Sequence, residues 1–152
     1  MVTIGDVVRF VKQNSMAVLA TVSESGLPEA ALIQFACTNA FELVFDTVPA
    51  ARKTENLRRM RRAAVVIGFT DEITVQLEGE AVELSGDSLL VYRPAYLRAF
   101  SAARSHSASP GLIYFKIEPR WIRYSDLSGH EPVIREFSFP GYPSREPAGE
   151  ML

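Results

Sequence analysis

Cysteine is almost absent from this chain: Cys37 is the only one in 152 residues, so no disulfide can close within it and no multi-cysteine metal site can be built. Such usage fits a reducing compartment, and Cys37 is expected to act as a small buried hydrophobe. Histidine is nearly as scarce, with His106 and His130 in separate turn-like contexts, so a zinc site would need several distant carboxylates to complete it. No metal site is expected. Ser105-His106-Ser107 sets a hydroxyl beside an imidazole, but neighbours in a loop do not face one another as a catalytic triad must. Long apolar runs are missing too: Met16-Ala17-Val18-Leu19-Ala20 and Ala63-Ala64-Val65-Val66-Ile67 are far too short to cross a bilayer. The opening residues Met1 to Asp6 lack the basic and apolar regions of a secretory signal, so a cytoplasmic protein without a membrane partner is expected. Gly68, Gly79 and Gly86 lack the spacing of a glycine-rich phosphate loop, which excludes a dinucleotide-binding Rossmann unit. Excess charge of one sign is also lacking. A formal net charge of −2 and a pI near 5.7 argue against a protein that coats nucleic acid.

What is present suffices for one domain with a real core: 47% of residues are hydrophobic and 22% charged. Ile4, Val7, Val8 and Val11 trace the stripe of a short amphipathic helix ending near Asn14. Met16 to Val22 and Leu27 to Cys37, joined by Glu24-Ser25-Gly26, read as a β-hairpin, and Phe41 to Asp46 as the next strand of a meander. Pro49 suits the first turn of a linking helix over Ala50 to Arg62, with Leu57 and Met60 spaced to face a sheet. Ala63 to Phe69 is a continuous apolar strand, and Ile73 to Leu84 alternates apolar with polar, as a half-buried strand does. A helix over Gly86 to Ala103, broken near Pro94, and strands over Gly111 to Ile117 and Trp121 to Tyr124 complete about seven strands and three helices. Sequential antiparallel strands interrupted by helices favour an α+β protein with a closed or nearly closed barrel. Residues 1–137 form the expected domain, and 138–152, with Pro140, Pro143 and Pro147, an arm or tail.

The local extreme of charge runs from Arg52 to Arg62, where six bases face one acid; this block carries +5 and the rest of the chain −7. It reads either as a solvated helix face or as a site for an anionic ligand or nucleic acid. Position separates its members. Arg52 and Lys53 lie in the predicted first turn, where free backbone N–H groups and the positive dipole end favour a phosphate. Arg58, Arg59, Arg61 and Arg62 fall in the predicted last turn, where complementing the dipole's negative end is role enough.

The succession "MAVLATVS", "ESGLPEAAL", "FELVFDT", "ARKTENLRRMRRAAVVIGF" and "TVQLEGEAVEL", spread over residues 4–125, resembles the pyridoxamine 5'-phosphate oxidase-like flavoproteins. The segment "GLIYFKIEPRWIRYSD" resembles their general stress protein-like branch in particular. The resemblance implies a six- to seven-stranded antiparallel split β-barrel with short flanking helices, and a homodimer that binds two FMN molecules at its interface. It assigns Thr47, Arg52 and Lys53 to the FMN phosphate. Thr74 and Gln76 fall where members place polar groups near the flavin ring, although for Gln76 an outward polar residue on an alternating strand is an equal reading. The strand through Gln34 and Phe35 corresponds to one that runs along the isoalloxazine edge. Ser125 takes the place of a family tryptophan, with Trp121 expected in the core, and Arg135 takes that of a cofactor-contacting arginine from the second subunit, a surface salt bridge being the competing reading.

The departures also carry implications. A family Arg and Lys that contact FMN are replaced by Ala31 and Ala36, which implies weaker FMN binding. The arginine and histidine that recognise the substrate phosphate would fall near Glu131 and Val133, so pyridoxine phosphate oxidation itself is not expected. The leading expectation is an FMN-dependent oxidoreductase of unknown substrate in which the flavin does the chemistry and no side chain need be an acid or base. Alternatives are a deazaflavin or haem ligand on the same fold, a non-catalytic flavin-binding stress protein, or a basic-helix nucleic-acid module.

Overall fold

The computed structural model describes residues 1–100 and 111–141. Helix α1 (Ile4–Lys12) starts at a capping box: Thr3 N–H donates to the Asp6 carboxylate at 2.8 Å and Asp6 N–H donates to Thr3 Oγ1 at 3.3 Å. The Thr3 N–H, together with the Thr3 hydroxyl donating to Asp6 Oδ2 at 2.7 Å, holds the Asp6 carboxyl down at about 2. Val7 and Val11 go fully into the core. A hairpin of β1 (Met16–Val22) and β2 (Pro28–Gln34) follows, turning at Gly26, whose φ of +81° suits glycine. The single strand expected to reach Cys37 is split, because Phe35 dives into the core and only β3 (Ala36–Cys37) resumes pairing, now with β4 (Leu43–Thr47).

Helix α2 (Arg52–Arg59) is shorter at both ends than the predicted helix. Arg61 is drawn into the sheet by a bond from Ala81 N–H at 2.7 Å, and Arg62 already opens β5 (Arg62–Ile67). Leu57 is buried as expected, whereas Met60 turns outward. β6 (Ile73–Glu83) leads to α3 (Gly86–Ala99), which runs unbroken through Pro94. Leu90, four residues earlier and exposed, leaves to water the carbonyl that proline cannot bond. The two last expected strands are one, β7 (Ile113–Asp126), and the unforeseen β8 (Val133–Ser138) pairs with its second half.

The order β2-β1-β5-β6-β7-β4-β3, with β8 beside β7, is antiparallel throughout. The far edge of β7 is shared, its first half taken by β4 and its second by β8, so the sheet curls into a split barrel. Inward residues such as Leu19, Phe45, Val65, Leu77 and Ile122 fill it, and Leu57 of α2 closes one end. A smaller core of Ala36, Val44, Leu84, Tyr96 and Tyr114 lies under α3. Phe139, just beyond the expected domain limit, packs on the main core and donates its N–H to Arg120 O at 2.8 Å. Residues 142–152, most of the expected tail, and the Ser105-His106-Ser107 loop lie outside the described residues. No described helix is long and apolar enough to cross a membrane.

Candidate functional site

The first turn of α2 meets the ends of β1 and β2 at a cavity of about 130 Å³ lined by Thr21, Glu29, Ala30, Ala31, Arg52 and Lys53. The N-cap is Ala51, which offers no side-chain acceptor, so the first N–H groups of α2 lack both a capping group and an intrahelical partner. Arg52 and Lys53 stand there as expected. Lys53 is half-buried and makes no ion pair or hydrogen bond among the described residues. Arg52 is engaged: its guanidinium lies 3.2 Å from the Glu29 carboxylate. Glu29 in turn accepts from Asn56 Nδ2 at 2.8 Å, and the same nitrogen donates to Thr21 Oγ1 at 3.0 Å. Thr21 and Glu29 face each other across the hairpin, while Arg52 and Asn56 are one helical turn apart, so strand register and helix period build this cluster together.

Thr21, Glu29 and Asn56 were not anticipated from the sequence. The available signal was parity: Thr21 occupies an inward position of β1 and is 3% exposed, and a buried hydroxyl needs a partner. Thr47, expected at the phosphate, is buried one step away. Its hydroxyl lies 3.3 Å from that of Thr54, which donates to Val48 O at 2.8 Å, and it does not line the cavity. Phe35 packs in the core and Gln34 is exposed on the free edge strand β2.

The remaining candidates form a second group. Gln76, Thr74 and Ser125 share the outer face of the sheet, Gln76 opposite Arg123 and Thr74 opposite Ser125. Arg135 sits in the row of Tyr124, whose ring packs inward on Phe10, so strand alternation sets it on the other face. Trp121 is not in the core as expected; it is half-buried on the outer face between Glu78 and Ser138. Between the two groups lie β1 and β5, so Leu32 on β2 and Gln76 on β6 are three strand spacings, roughly 14 Å, apart. The outer face there is apolar: Leu32, Val18 and Val66 form one row and Ala30, Ala20 and Ala64 the next, with Leu32 58% and Val66 38% exposed. At one end of this face Ala20, Ala64, Arg62, Glu78, Gly79 and Arg120 border a cavity of about 390 Å³.

Among the described residues neither the one cysteine nor the one histidine is set as an activated nucleophile or its base. Cys37, half-buried against the core, has its thiol pushed up to about 11 by burial, and His130 lies on an exposed turn. Among the described residues no group of three or more His, Cys, Asp or Glu side chains is placed to hold a metal ion.

A split barrel with a basic helix start beside its open edge defines a class, and comparison with known proteins places the chain within it. Residues 5–126 match the pyridoxamine 5'-phosphate oxidase family, and the chain belongs to that family. Similar solved structures include a heme binding protein from Mycobacterium smegmatis, 20% identical with a TM-score of 0.76, covering 91% of this chain. This chain spans 59% of that protein's length. A pyridoxamine 5'-phosphate oxidase-related, FMN binding protein from Nostoc punctiforme is 14% identical with a TM-score of 0.66 over 89% of this chain and 95% of its own. General Stress Protein 26 from Bacillus anthracis is 23% identical with a TM-score of 0.62 over 77% and 89%. At these identities the likeness is one of fold. Among curated proteins no sequence matches the chain.

Proposed function

We propose that the chain is an FMN-binding flavoprotein and a flavin-dependent oxidoreductase, working as a homodimer with FMN at the subunit interface. The observation that carries this reading is Lys53, a half-buried cation without a partner among the described residues, beside Arg52 at an uncapped helix start that opens into a cavity. A terminal phosphate satisfies the free N–H groups and the Lys53 charge at once, and shares Arg52 with Glu29. The flavin, when bound, supplies hydride or electron transfer; the protein binds it, orients it and excludes water. Arg52 and Lys53 hold the phosphate, and the free edge of β2 offers backbone groups to the ring. Within one chain Thr74, Gln76 and Ser125 lie across β1 and β5 from that edge, Gln76 roughly 14 Å from Leu32. A second copy packed on the apolar rows between them would bring its own Thr74, Gln76 and Ser125 over the first copy's β2 edge, which is why we read the site as shared. Three of the six bases in the run are already in ion pairs, Arg52 with Glu29, Arg58 with Glu83, and Arg59 with Glu24 and Glu55, which favours a small anion over nucleic acid. A haem reading needs an axial ligand, and His130, the one histidine among the described residues, lies on an exposed turn and lines neither cavity.

Purified protein is expected to absorb near 450 nm as flavins do, about 450 nm being a property of the cofactor. FMN at a hundredfold excess over its dissociation constant should stabilise the fold by about 2.7 kcal/mol. Replacing Arg52 and Lys53 together by Ala should remove that stabilisation while leaving the unliganded melting temperature within a few degrees. A colourless protein whose melting temperature FMN leaves unmoved would refute flavin binding.

A further inference from the structure

The anion seat contains an acid. Of the six residues that line it, Arg52 and Lys53 are positive and Glu29 is negative, and Glu29 is not a stray surface group. Its side chain is 18% exposed against 77% for Arg52, and Asn56, itself 4% exposed, holds one carboxylate oxygen while Arg52 takes the other. The acid is therefore the fixed member of the pair and the arginine the mobile one. A terminal phosphate carries roughly −1.5 to −2 charge at pH 7, so it must share Arg52 with a carboxylate already in place and lie within a few ångströms of that like charge.

We infer that Glu29 is a specificity-determining residue of this seat: an internal anion that occupies Arg52 and lowers affinity for the phosphate of the ligand without affecting the ring. This rests on the flavin reading above. Lys53 and the helix start supply the uncompensated attraction, and Arg52 contributes only as far as it leaves Glu29. Glu29→Gln keeps the shape and an oxygen to accept from Asn56 Nδ2, so the thermal transition of the unliganded protein should stay close to that of the parent. FMN and riboflavin, which lacks the phosphate, are titrated against both proteins by quenching of flavin fluorescence. The variant should bind FMN about three- to fivefold more tightly, the size expected for an ion pair near the surface, and riboflavin unchanged. Equal tightening for both ligands would overturn the inference, since the effect would then act on the ring or the fold. Unchanged or weaker FMN binding would overturn it too, weaker binding meaning that Glu29 positions Arg52 for the phosphate. If neither folded protein binds FMN, the flavin reading itself falls, and this inference with it.

Discussion

Tyr114 shows how closely a single residue's fate follows from its neighbours. Its ring packs edge-on to Tyr96 at 5.7 Å in the core under α3, yet its hydroxyl is buried with no hydrogen-bond partner among the described residues. Tyr96, beside it, solves the same problem by donating to Asp46 Oδ1 at 2.9 Å. A buried polar group without a partner costs about 1–3 kcal/mol, so Tyr114→Phe should stabilise the protein by about 1 kcal/mol in urea denaturation. Clear destabilisation would show that the hydroxyl has a use. The site residues divide along similar lines. Arg52 and Lys53 were legible because a proline, a helix-forming stretch and a charge run each mark a helix start locally. Glu29 and Asn56 were not, because their meeting depends on the β1–β2 register and on which side of α2 turns inward, neither of which is written near either residue. Trp121 was misplaced for a related reason: size suggested the core, but the strand's alternation, set by fully buried Ile122, turned it out.

At the scale of elements, periodicity carried most of the fold and boundaries carried the errors. Alternation placed the inward row of β6 correctly, small apolar and β-branched residues marked β1, and the α1 stripe contains its two buried valines. The single strand expected over Leu27 to Cys37 failed at Phe35, which keeps its backbone paired, donating to Ser15 O at 3.0 Å, while β3 turns to β4. β7 was read as two strands because Pro119 and Arg120 interrupt its pattern; in the sheet that interruption is a register shift opposite Glu78 and Gly79. Gly79 is needed there. A Cβ at this position would stand 2.2 Å from the carbonyl oxygen of Glu118, a backbone atom that cannot swing away. Gly79→Ala should therefore force β6 and β7 apart and destabilise the chain by more than about 3 kcal/mol, well beyond the ordinary effect of a point substitution. Gly26→Ala, in open space at a turn, serves as comparison and should cost about 1 kcal/mol from its positive φ alone. Comparable losses for the two in denaturant titrations would show that the close approach is relaxed more easily than the geometry implies.

For the whole molecule the question is why a sheet that buries one face so completely leaves the other apolar. Leu32, Val18, Val66 and the alanines beside them form a contiguous outward patch of the kind a solitary soluble chain rarely keeps. The patch lies between two groups of polar residues that resemblance assigns to one cofactor, and the proposed pairing of two copies across it would account for both facts. A closed two-fold contact uses the same patch on both chains, so a single substitution within it is felt twice. Val66, in the row of Val18 and next to Ala64, is its exposed member on β5. Val66→Glu should leave the isolated fold intact, since the side chain is already 38% exposed, but bury an unpaired carboxylate in the interface twice, once from each copy. Leu90→Glu, 75% exposed on α3 and off this face, is the matched control. Sedimentation should find the parent and the Leu90 variant dimeric and the Val66 variant monomeric, with FMN affinity in the monomer reduced more than tenfold although Arg52 and Lys53 are untouched. A Val66 variant that remains dimeric would mean the copies meet elsewhere; a monomer that binds FMN as tightly as the parent would mean each chain holds the flavin alone, and the polar row on β6 would then need another purpose.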